Sequence, residues 1–130
     1  GSVDSVMAGL ACGQASPLAW KFLEASIDHF MTIEDGQAVE AMRVLAKGST
    51  RDIPIVAGES GTAGLAAQHQ LRADPALSAQ VALDAGSRVL VISTEGATAP
   101  QVYEALVGES ADAVLGRQAA WSAAASAPDS

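Results

Sequence analysis

Two short polar loops carry the residues of this chain that could bind a small molecule. The first is Ser93-Thr94-Glu95-Gly96, which follows directly on the apolar run at residues 89–92. Its hydroxyls can donate and accept hydrogen bonds, its carboxylate can accept them, and its glycine lets a ligand approach the backbone closely. Open parallel sheets bind ligands beyond the carboxyl ends of their strands. The junction therefore predicts a binding site at the end of a buried strand.

The second loop, residues 58–61, has the same setting because it follows an apolar run at residues 53–57. Its glycines recur every third residue, which fits either an anion site at a helix start or close packing of a small-faced helix, and the packing interpretation is slightly favoured. Neither nucleotide-binding fingerprint is present. If the two apolar runs are neighbours, Glu59 and Glu95 face one crevice, and the equal alternative is a pair of loop-surface acids.

Covalent and metal chemistry receive little support from the sequence. Ser60 lacks the glycine that a nucleophile elbow needs two positions later, because Thr62 stands there. His29 and His69 have no cysteine or second histidine at ligand spacing, and both are interpreted as helix-surface histidines. Cys12 is the sole cysteine, so it forms no internal disulfide and is interpreted as a buried, inert thiol. We predict no metal site and no catalytic residue in this chain.

Helices and strands are predicted to position these loops. Strands are expected at residues 53–57 and 89–92, and a strand or an extended segment at residues 5–12. Ser16 is expected to cap the first helix and Gly48 to end the second. The predicted helices cover residues 17–31, 32–47, 62–71, 74–83, 98–107 and 110–124. This alternation predicts an α/β fold with a small parallel sheet of about three strands flanked by helices.

The composition bounds the kind of protein. The length of 130 residues predicts one α/β domain at residues 3–124, with a protease-cleavage scar at residues 1–2 and a frayed tail at residues 125–130. A net charge of −8 with seven scattered basic residues argues against nucleic-acid binding. The single cysteine predicts a cytoplasmic protein. No apolar stretch approaches the roughly 20 residues of a membrane span, and the sequence pattern of a signal peptide is not recognised. Because no Met precedes Val3, the chain is interpreted as a piece of a longer protein.

Four stretches of the sequence carry a resemblance to a known family, the last two most specifically: VMAGLACG at residues 6–13, SPLAW at 16–20, IVAGESGTAGLA at 55–66 and VLVISTEGAT at 89–98. Together they resemble the diaminopropionate ammonia-lyase family. The family belongs to the tryptophan-synthase-β-like, or fold type II, pyridoxal-phosphate enzymes. The resemblance covers about residues 4–108 and only the carboxyl-terminal third of the family's chain. It implies part of the large domain of such an enzyme, whose reaction is α,β-elimination of 2,3-diaminopropionate to pyruvate and ammonia.

The resemblance also implies cofactor contacts in both loops. In fold type II enzymes a Ser or Thr after a late strand hydrogen-bonds the pyridine nitrogen of pyridoxal phosphate. Ser93 matches that position, with Thr94 as the alternative. A hydroxyl leaves the nitrogen largely unprotonated, which suits β-elimination because the leaving group takes the electrons. The residues expected to border the ring are Gly58, Glu59, Ser60 and Gly61, with Glu59 displaced by one place from the glutamate of related dehydratases.

The chain departs from the family pattern in what it lacks. The lysine that forms the Schiff base with the cofactor belongs to the family's amino-terminal part, and Lys21 and Lys47 stand in other contexts. The family's glycine-rich phosphate-binding loop and its catalytic acids are missing too. We therefore expect no bound pyridoxal phosphate and no catalysis by the chain alone. The expected partners are the missing amino-terminal part, an amino-acid substrate and a second copy in a homodimer. The alternative is a free-standing, non-catalytic α/β module that binds a small metabolite or a protein partner.

Overall fold

Six α-helices form the framework of the chain in a computed structural model that describes residues 4–126. A short 3-10 helix at Ala8–Leu10 precedes them. The α-helices are α1 (Pro17–Leu23), α2 (Asp35–Lys47), α3 (Ala63–Ala73), α4 (Pro75–Gln80), α5 (Pro100–Val107) and α6 (Ala111–Ala125). Helix α2 packs against α3 and α5, α3 against α4, and α5 against α6. The non-helical segments between them carry both candidate loops.

The core lies where α2, α5 and α6 meet. It is formed by Met42 and Ala46 of α2, Tyr103 of α5 and Val114 of α6. Each is almost completely buried, and full burial of a Met or Val side chain stabilises a fold by roughly 1.5–3 kcal/mol. Burial also raises the pKa of Tyr103 above its ordinary value, with the charge of Glu109 as the second cause.

Helix α6 is joined to the rest of the molecule by polar side chains. Arg117 donates a hydrogen bond of 2.8 Å to the carbonyl oxygen of Ala46 at the end of α2. The side chains of Gln118 and Trp121 donate to backbone carbonyl oxygens within residues 49–54, at 2.9 and 3.0 Å. These bonds hold residues 49–54, which precede the first loop, against α6.

The prediction of an α/β fold with a parallel sheet is wrong, because the described residues contain no strand. The apolar runs at residues 53–57 and 89–92 are non-helical, but a single backbone hydrogen bond, from Gly58 N–H to the Glu95 carbonyl oxygen, joins their two segments. A sheet needs a repeated ladder of such bonds. Leu90 is 85 % exposed, so the second run also lacks the packing on both faces that its composition predicts. The third expected segment, residues 5–12, contains the 3-10 helix instead.

Each predicted helix overlaps an observed one, but two end earlier than predicted: α1, and α4, which ends at Gln80 instead of residue 83. Ser16 caps α1 by accepting a hydrogen bond from the backbone N–H of Ala19, and Gly48 ends α2 with a φ of +60°, as predicted. A side chain at Gly48 would meet the carbonyl oxygen of Asp52 at 2.7 Å. Helix α1 ends at Leu23, however, and does not continue to residue 31. An amphipathic helix depends on packing of its apolar face, and the described residues provide no such surface here.

Residues 17–31, which we call the apolar arm, expose large apolar side chains. No residue of α1 is buried, and Leu18, Phe22 and Phe30 are 69 %, 70 % and 71 % exposed. The rings of Trp20 and Phe30 lie 6.2 Å apart, which gives the arm a small contact of its own. An exposed apolar surface of this kind is typical of an interaction site.

Two further predictions concern the ends of the chain. The expected scar at residues 1–2 lies outside the described residues, as do residues 127–130 of the expected tail.

Among the described residues no helix combines the length and the hydropathy that crossing a membrane requires.

Candidate functional site

The two candidate loops lie against each other. The backbone N–H of Gly58 donates to the carbonyl oxygen of Glu95 at 2.9 Å. The backbone N–H of Ser60 donates to the Oε2 atom of the same residue at 3.0 Å. The loops expected to face one crevice are therefore brought together, although no sheet positions them.

Two glycines make this close approach possible. A Cβ atom on Gly58 would lie 2.5 Å from the carbonyl oxygen of Gly96, and one on Gly61 would lie 2.9 Å from that of Glu95. The hydroxyl oxygen of Ser93 would be 3.0 Å from a Cβ on Gly61. Both distances to backbone oxygens are shorter than side chains tolerate, so any larger residue would push the loops apart. Gly58 and Gly61 therefore pack against the loop at residues 93–96, whereas the predicted packing is that of a small-faced helix on a sheet.

The Ser93 hydroxyl lies at the surface beside residue 61. It donates a hydrogen bond of 3.5 Å to the carbonyl oxygen of Glu95, which is long for an O–H donor. Thr94 is exposed as well. The Ser93 hydroxyl can therefore exchange this weak internal contact for a ligand atom without leaving a buried group unsatisfied.

The two loop acids have different surroundings. The Glu95 carboxylate accepts hydrogen bonds from Ser60 N–H and from the hydroxyl of Thr98, the latter at 3.2 Å. Within residues 4–126, the Glu59 carboxylate has no hydrogen-bonding or ion-pair partner, and Glu59 contributes its carbonyl oxygen to the Thr62 hydroxyl instead. The alternative prediction, that these are loop-surface acids, therefore fits Glu59. It does not fit Glu95, whose carboxylate connects the two loops.

A third segment, near the amino terminus, also contacts the loop pair, and the sequence pattern does not predict this contact. The Oγ atom of Ser60 accepts a hydrogen bond of 2.9 Å from the backbone N–H of Gly9. Ser60 is only 8 % exposed and so links the amino-terminal segment to the loop pair. A backbone donor leaves no mark in the side-chain pattern, so no signal in the sequence indicates this contact.

The other residues considered for chemistry lie outside the loop pair. Lys21 is on α1, Lys47 is the last residue of α2, and both are exposed. His29 is exposed in a non-helical segment, which differs from the helix expected there, and His69 is half-buried on α3. Cys12 is exposed, so its predicted burial is wrong. The part of the chain that the structure describes holds no cluster of three or more metal-ligand side chains.

The Asp35 carboxylate is hydrogen-bonded to the amino-terminal segment, and these bonds shift its pKa. Its carboxylate accepts hydrogen bonds from the Ser5 hydroxyl at 2.6 Å and from the backbone N–H of Val6 at 3.0 Å. These bonds, the Ser5 hydroxyl first, lower the pKa of Asp35 from its usual 3.8. The carboxylate thereby anchors the segment that carries Gly9 to the start of α2.

Comparison with known proteins identifies relatives of one kind. No family model matches the chain. It is 40 % identical over 117 residues to the diaminopropionate ammonia-lyase of Escherichia coli (strain K12), with 88 % of this chain and 29 % of the relative covered. It is 35 % identical over 111 residues to the enzyme of that name from Salmonella typhimurium, with 82 % of this chain and 28 % of the relative covered. The chain therefore spans less than a third of the length of these relatives.

Solved structures give the same result. The Escherichia coli diaminopropionate ammonia-lyase in complex with an aminoacrylate–PLP azomethine reaction intermediate superimposes with a TM-score of 0.73 at 39 % identity, over 79 % of this chain and 28 % of that one. The same enzyme in complex with D-serine gives a TM-score of 0.72 at 38 % identity, over 82 % of this chain and 28 % of that one. The fold of this chain is thus similar to part of a solved ammonia-lyase. The chain is a homologue of diaminopropionate ammonia-lyase, matched over the carboxyl-terminal part of that protein.

Proposed function

We propose that this chain supplies the pyridine-nitrogen side of a pyridoxal-phosphate site in a diaminopropionate ammonia-lyase of the tryptophan-synthase-β-like group. The whole enzyme would convert 2,3-diaminopropionate to pyruvate and ammonia by α,β-elimination. The observation that carries the proposal is the exposed, weakly bonded Ser93 hydroxyl beside the loop at residues 58–61. The solved relative in complex with a PLP intermediate supports the choice of cofactor.

The residues present fit one edge of the cofactor. A serine hydroxyl can donate a hydrogen bond to an unprotonated pyridine nitrogen, and the Ser93 hydroxyl lies at the surface with only a long internal contact. Gly61 lies directly against that hydroxyl, because a Cβ atom on Gly61 would be 3.0 Å from the Ser93 oxygen. When bound, the cofactor supplies the electron-accepting ring that elimination needs. Ser93 would bind and orient its nitrogen, Thr94 is the alternative contact, and residues 58–61 would border the ring.

A second part of the proposal is that the chain does not catalyse alone. A cofactor of this kind needs a lysine to hold it covalently and to move protons. Lys21 and Lys47 are exposed on α1 and at the end of α2, and neither belongs to the loop pair. We propose that the lysine and the phosphate-binding loop come from the part of the relatives that this chain does not span.

A spectroscopic titration tests the second part. Pyridoxal phosphate added to the chain should produce no stable new absorbance band of a lysine-bound cofactor beyond that given by free lysine at equal concentration. The variants Lys21→Arg and Lys47→Arg should behave like the unmodified chain. A stable band that either substitution removes would overturn the proposal that the lysine lies elsewhere.

Assembly with a relative tests the first part. The chain is expressed together with the segment of the Escherichia coli relative that precedes the matched region, and ammonia release from 2,3-diaminopropionate is measured. Activity should appear only with both partners, and Ser93→Ala should lower kcat/KM by about tenfold or more, as expected for a lost hydrogen bond to a reacting group. Thr94→Ala is the matched control because it removes the neighbouring exposed hydroxyl. If Thr94→Ala lowers activity and Ser93→Ala does not, Thr94 is the pyridine contact.

Partners and substrate follow from the same proposal. We propose 2,3-diaminopropionate rather than serine or threonine as the preferred substrate, a cytoplasmic location and a homodimeric enzyme. The exposed apolar arm supports a protein partner, and the uncovered length of the relatives supplies the candidate occupant. Parallel assays with L-serine and L-threonine test the substrate.

A non-catalytic binding module is the second candidate function. The observation that favours it is the same arm, whose Leu18, Phe22 and Phe30 side chains are largely exposed. Failure of the assembly experiment, together with capture of a defined protein partner that Phe22→Ser abolishes, would favour this candidate over the enzyme.

A further inference from the structure

Glu95 contacts the loop at residues 58–61 through its backbone and its side chain. The carbonyl oxygen accepts from Gly58 N–H at 2.9 Å, and the carboxylate Oε2 accepts from Ser60 N–H at 3.0 Å. Its second carboxylate oxygen accepts from the Thr98 hydroxyl at 3.2 Å. Both carboxylate oxygens thus accept hydrogen bonds from donors of the protein itself.

The packing around these bonds leaves little freedom for the loops to shift. Substituents on Gly58 would collide with the Glu95 side chain at 2.8 Å, and substituents on Gly61 would collide with the Glu95 backbone and approach Ser93. Ser60 extends the network further, because its hydroxyl oxygen accepts from Gly9 N–H. Within the described residues, the hydrogen bonds between the two loops therefore all involve Glu95, which lies two residues after Ser93. They fix the position of the Ser93 hydroxyl through this residue.

We propose that Glu95 is a positioning residue: its carboxylate holds the loop at residues 58–61 against residues 93–96 and so places the Ser93 hydroxyl for the pyridine nitrogen. This inference rests on the proposed function of Ser93. Hydrogen bonds to a charged acceptor are roughly twice as strong as neutral ones, which is why an acid suits this position better than an amide. Glu59, one residue before Ser60, has no such contact within the described residues.

The first experiment measures the contact itself in the full chain. Hydrogen exchange of the Ser60 amide is followed by NMR in Glu95→Gln, Glu95→Ala and the control Glu104→Gln, an exposed acid on α5. Exchange should accelerate about tenfold or more in Glu95→Ala and less in Glu95→Gln, which keeps one acceptor oxygen. Glu104→Gln should leave it unchanged. Equal exchange in all variants would overturn the proposal, and Glu95→Gln keeps the experiment informative if Glu95→Ala does not fold.

The second experiment asks whether Glu95 acts through Ser93. The dissociation constant of pyridoxal phosphate is measured by fluorescence for the assembled enzyme carrying Ser93→Ala, Glu95→Ala or both. Each single variant should raise the dissociation constant about tenfold. The double variant should have a dissociation constant no higher than that of the single variant that binds more weakly, because the effects of coupled residues are not additive. Additive losses would assign Glu95 a separate role and overturn the proposal.

The two proposals fail in different ways. If Ser93→Ala leaves cofactor binding unchanged, the pyridine contact of the proposed function is wrong, and the positioning role of Glu95 toward the cofactor fails with it. If Ser93→Ala weakens binding while Glu95→Gln and Glu95→Ala do not, only the positioning role is wrong. A loss in Glu95→Ala that Glu95→Gln partly restores, together with faster Ser60 exchange, supports both.

Discussion

The hydroxyl oxygen of Ser60 accepts a hydrogen bond of 2.9 Å from the backbone N–H of Gly9, which lies 51 residues earlier in the chain. Ser60 also donates its own backbone N–H to Glu95, so one buried serine joins three segments. Two of these segments carry the proposed cofactor contacts. The position of the amino-terminal segment is therefore coupled to the geometry of the site.

Ser60→Ala should destabilise the chain by about 1 kcal/mol, because it removes the acceptor of the Gly9 N–H. Urea unfolding followed by circular dichroism measures the change. Ser122→Ala, an exposed serine on α6, is the control and should change stability by less than about 0.5 kcal/mol. Equal effects of the two substitutions would mean that the Gly9 contact contributes no net stability.

Asp35 should make the chain sensitive to acid. Because its pKa in the folded chain is below 3.8, the folded state is stabilised by the ionised carboxylate above that pH, and this contribution is lost as the pH falls from 3.8 through the lower folded value. Glu109, whose pKa is lowered by Arg117, loses its contribution below 4.5 in the same direction.

Asp35→Asn should therefore lower stability at neutral pH and reduce the slope of stability against pH below about pH 4. Urea unfolding at a series of pH values from 7 to 2.5 provides the measurement. Ser5→Ala should act in the same direction, since the Ser5 hydroxyl is the largest cause of the lowered pKa. An unchanged acid slope in both variants would contradict this account.

Tyr103→Phe should leave stability unchanged or raise it by up to about 1 kcal/mol. The side chain is 1 % exposed, and its hydroxyl has no hydrogen-bonding partner among the described residues, so removing the oxygen relieves a desolvation cost. Val114→Ala, in the same cluster, should instead cost about 2 kcal/mol by leaving a cavity. A loss in Tyr103→Phe comparable to that of Val114→Ala would indicate a partner for the hydroxyl.

The apolar arm should promote self-association of the isolated chain. Phe22→Ser combined with Phe30→Ser removes two largely exposed aromatic rings and should raise the dissociation constant by about tenfold or more in sedimentation velocity. Val102→Ser, a half-exposed apolar residue of α5, is the control. If the unmodified chain sediments as a monomer at all accessible concentrations, the arm is not a self-association surface.

The helix ends could be predicted because a helix cap depends on residues that are close to it in the sequence. Ser16 and Gly48 occupy cap positions whose backbone requirements follow from neighbouring residues, and the structure contains both caps. The sheet prediction is wrong because an apolar run reports a preference for burial, whereas a strand requires a partner at a defined distance. Within residues 4–126, no backbone hydrogen bond joins residues 53–57 to residues 89–92, and a single one, from Gly58 N–H to the Glu95 carbonyl oxygen, joins the loops that follow them.

The candidate site divides in the same way. The residue types of residues 58–61 and 93–96 predict a ligand site, which stays a prediction, and the four stretches that include these loops indicated the related family correctly. Only the tertiary structure decided that Glu95 joins the two loops, that Glu59 does not, and that Gly9 reaches Ser60. The physical reason is that hydrogen bonds between residues distant in sequence depend on how helices α2, α3 and α5 bring the loops together, and no local pattern encodes that distance.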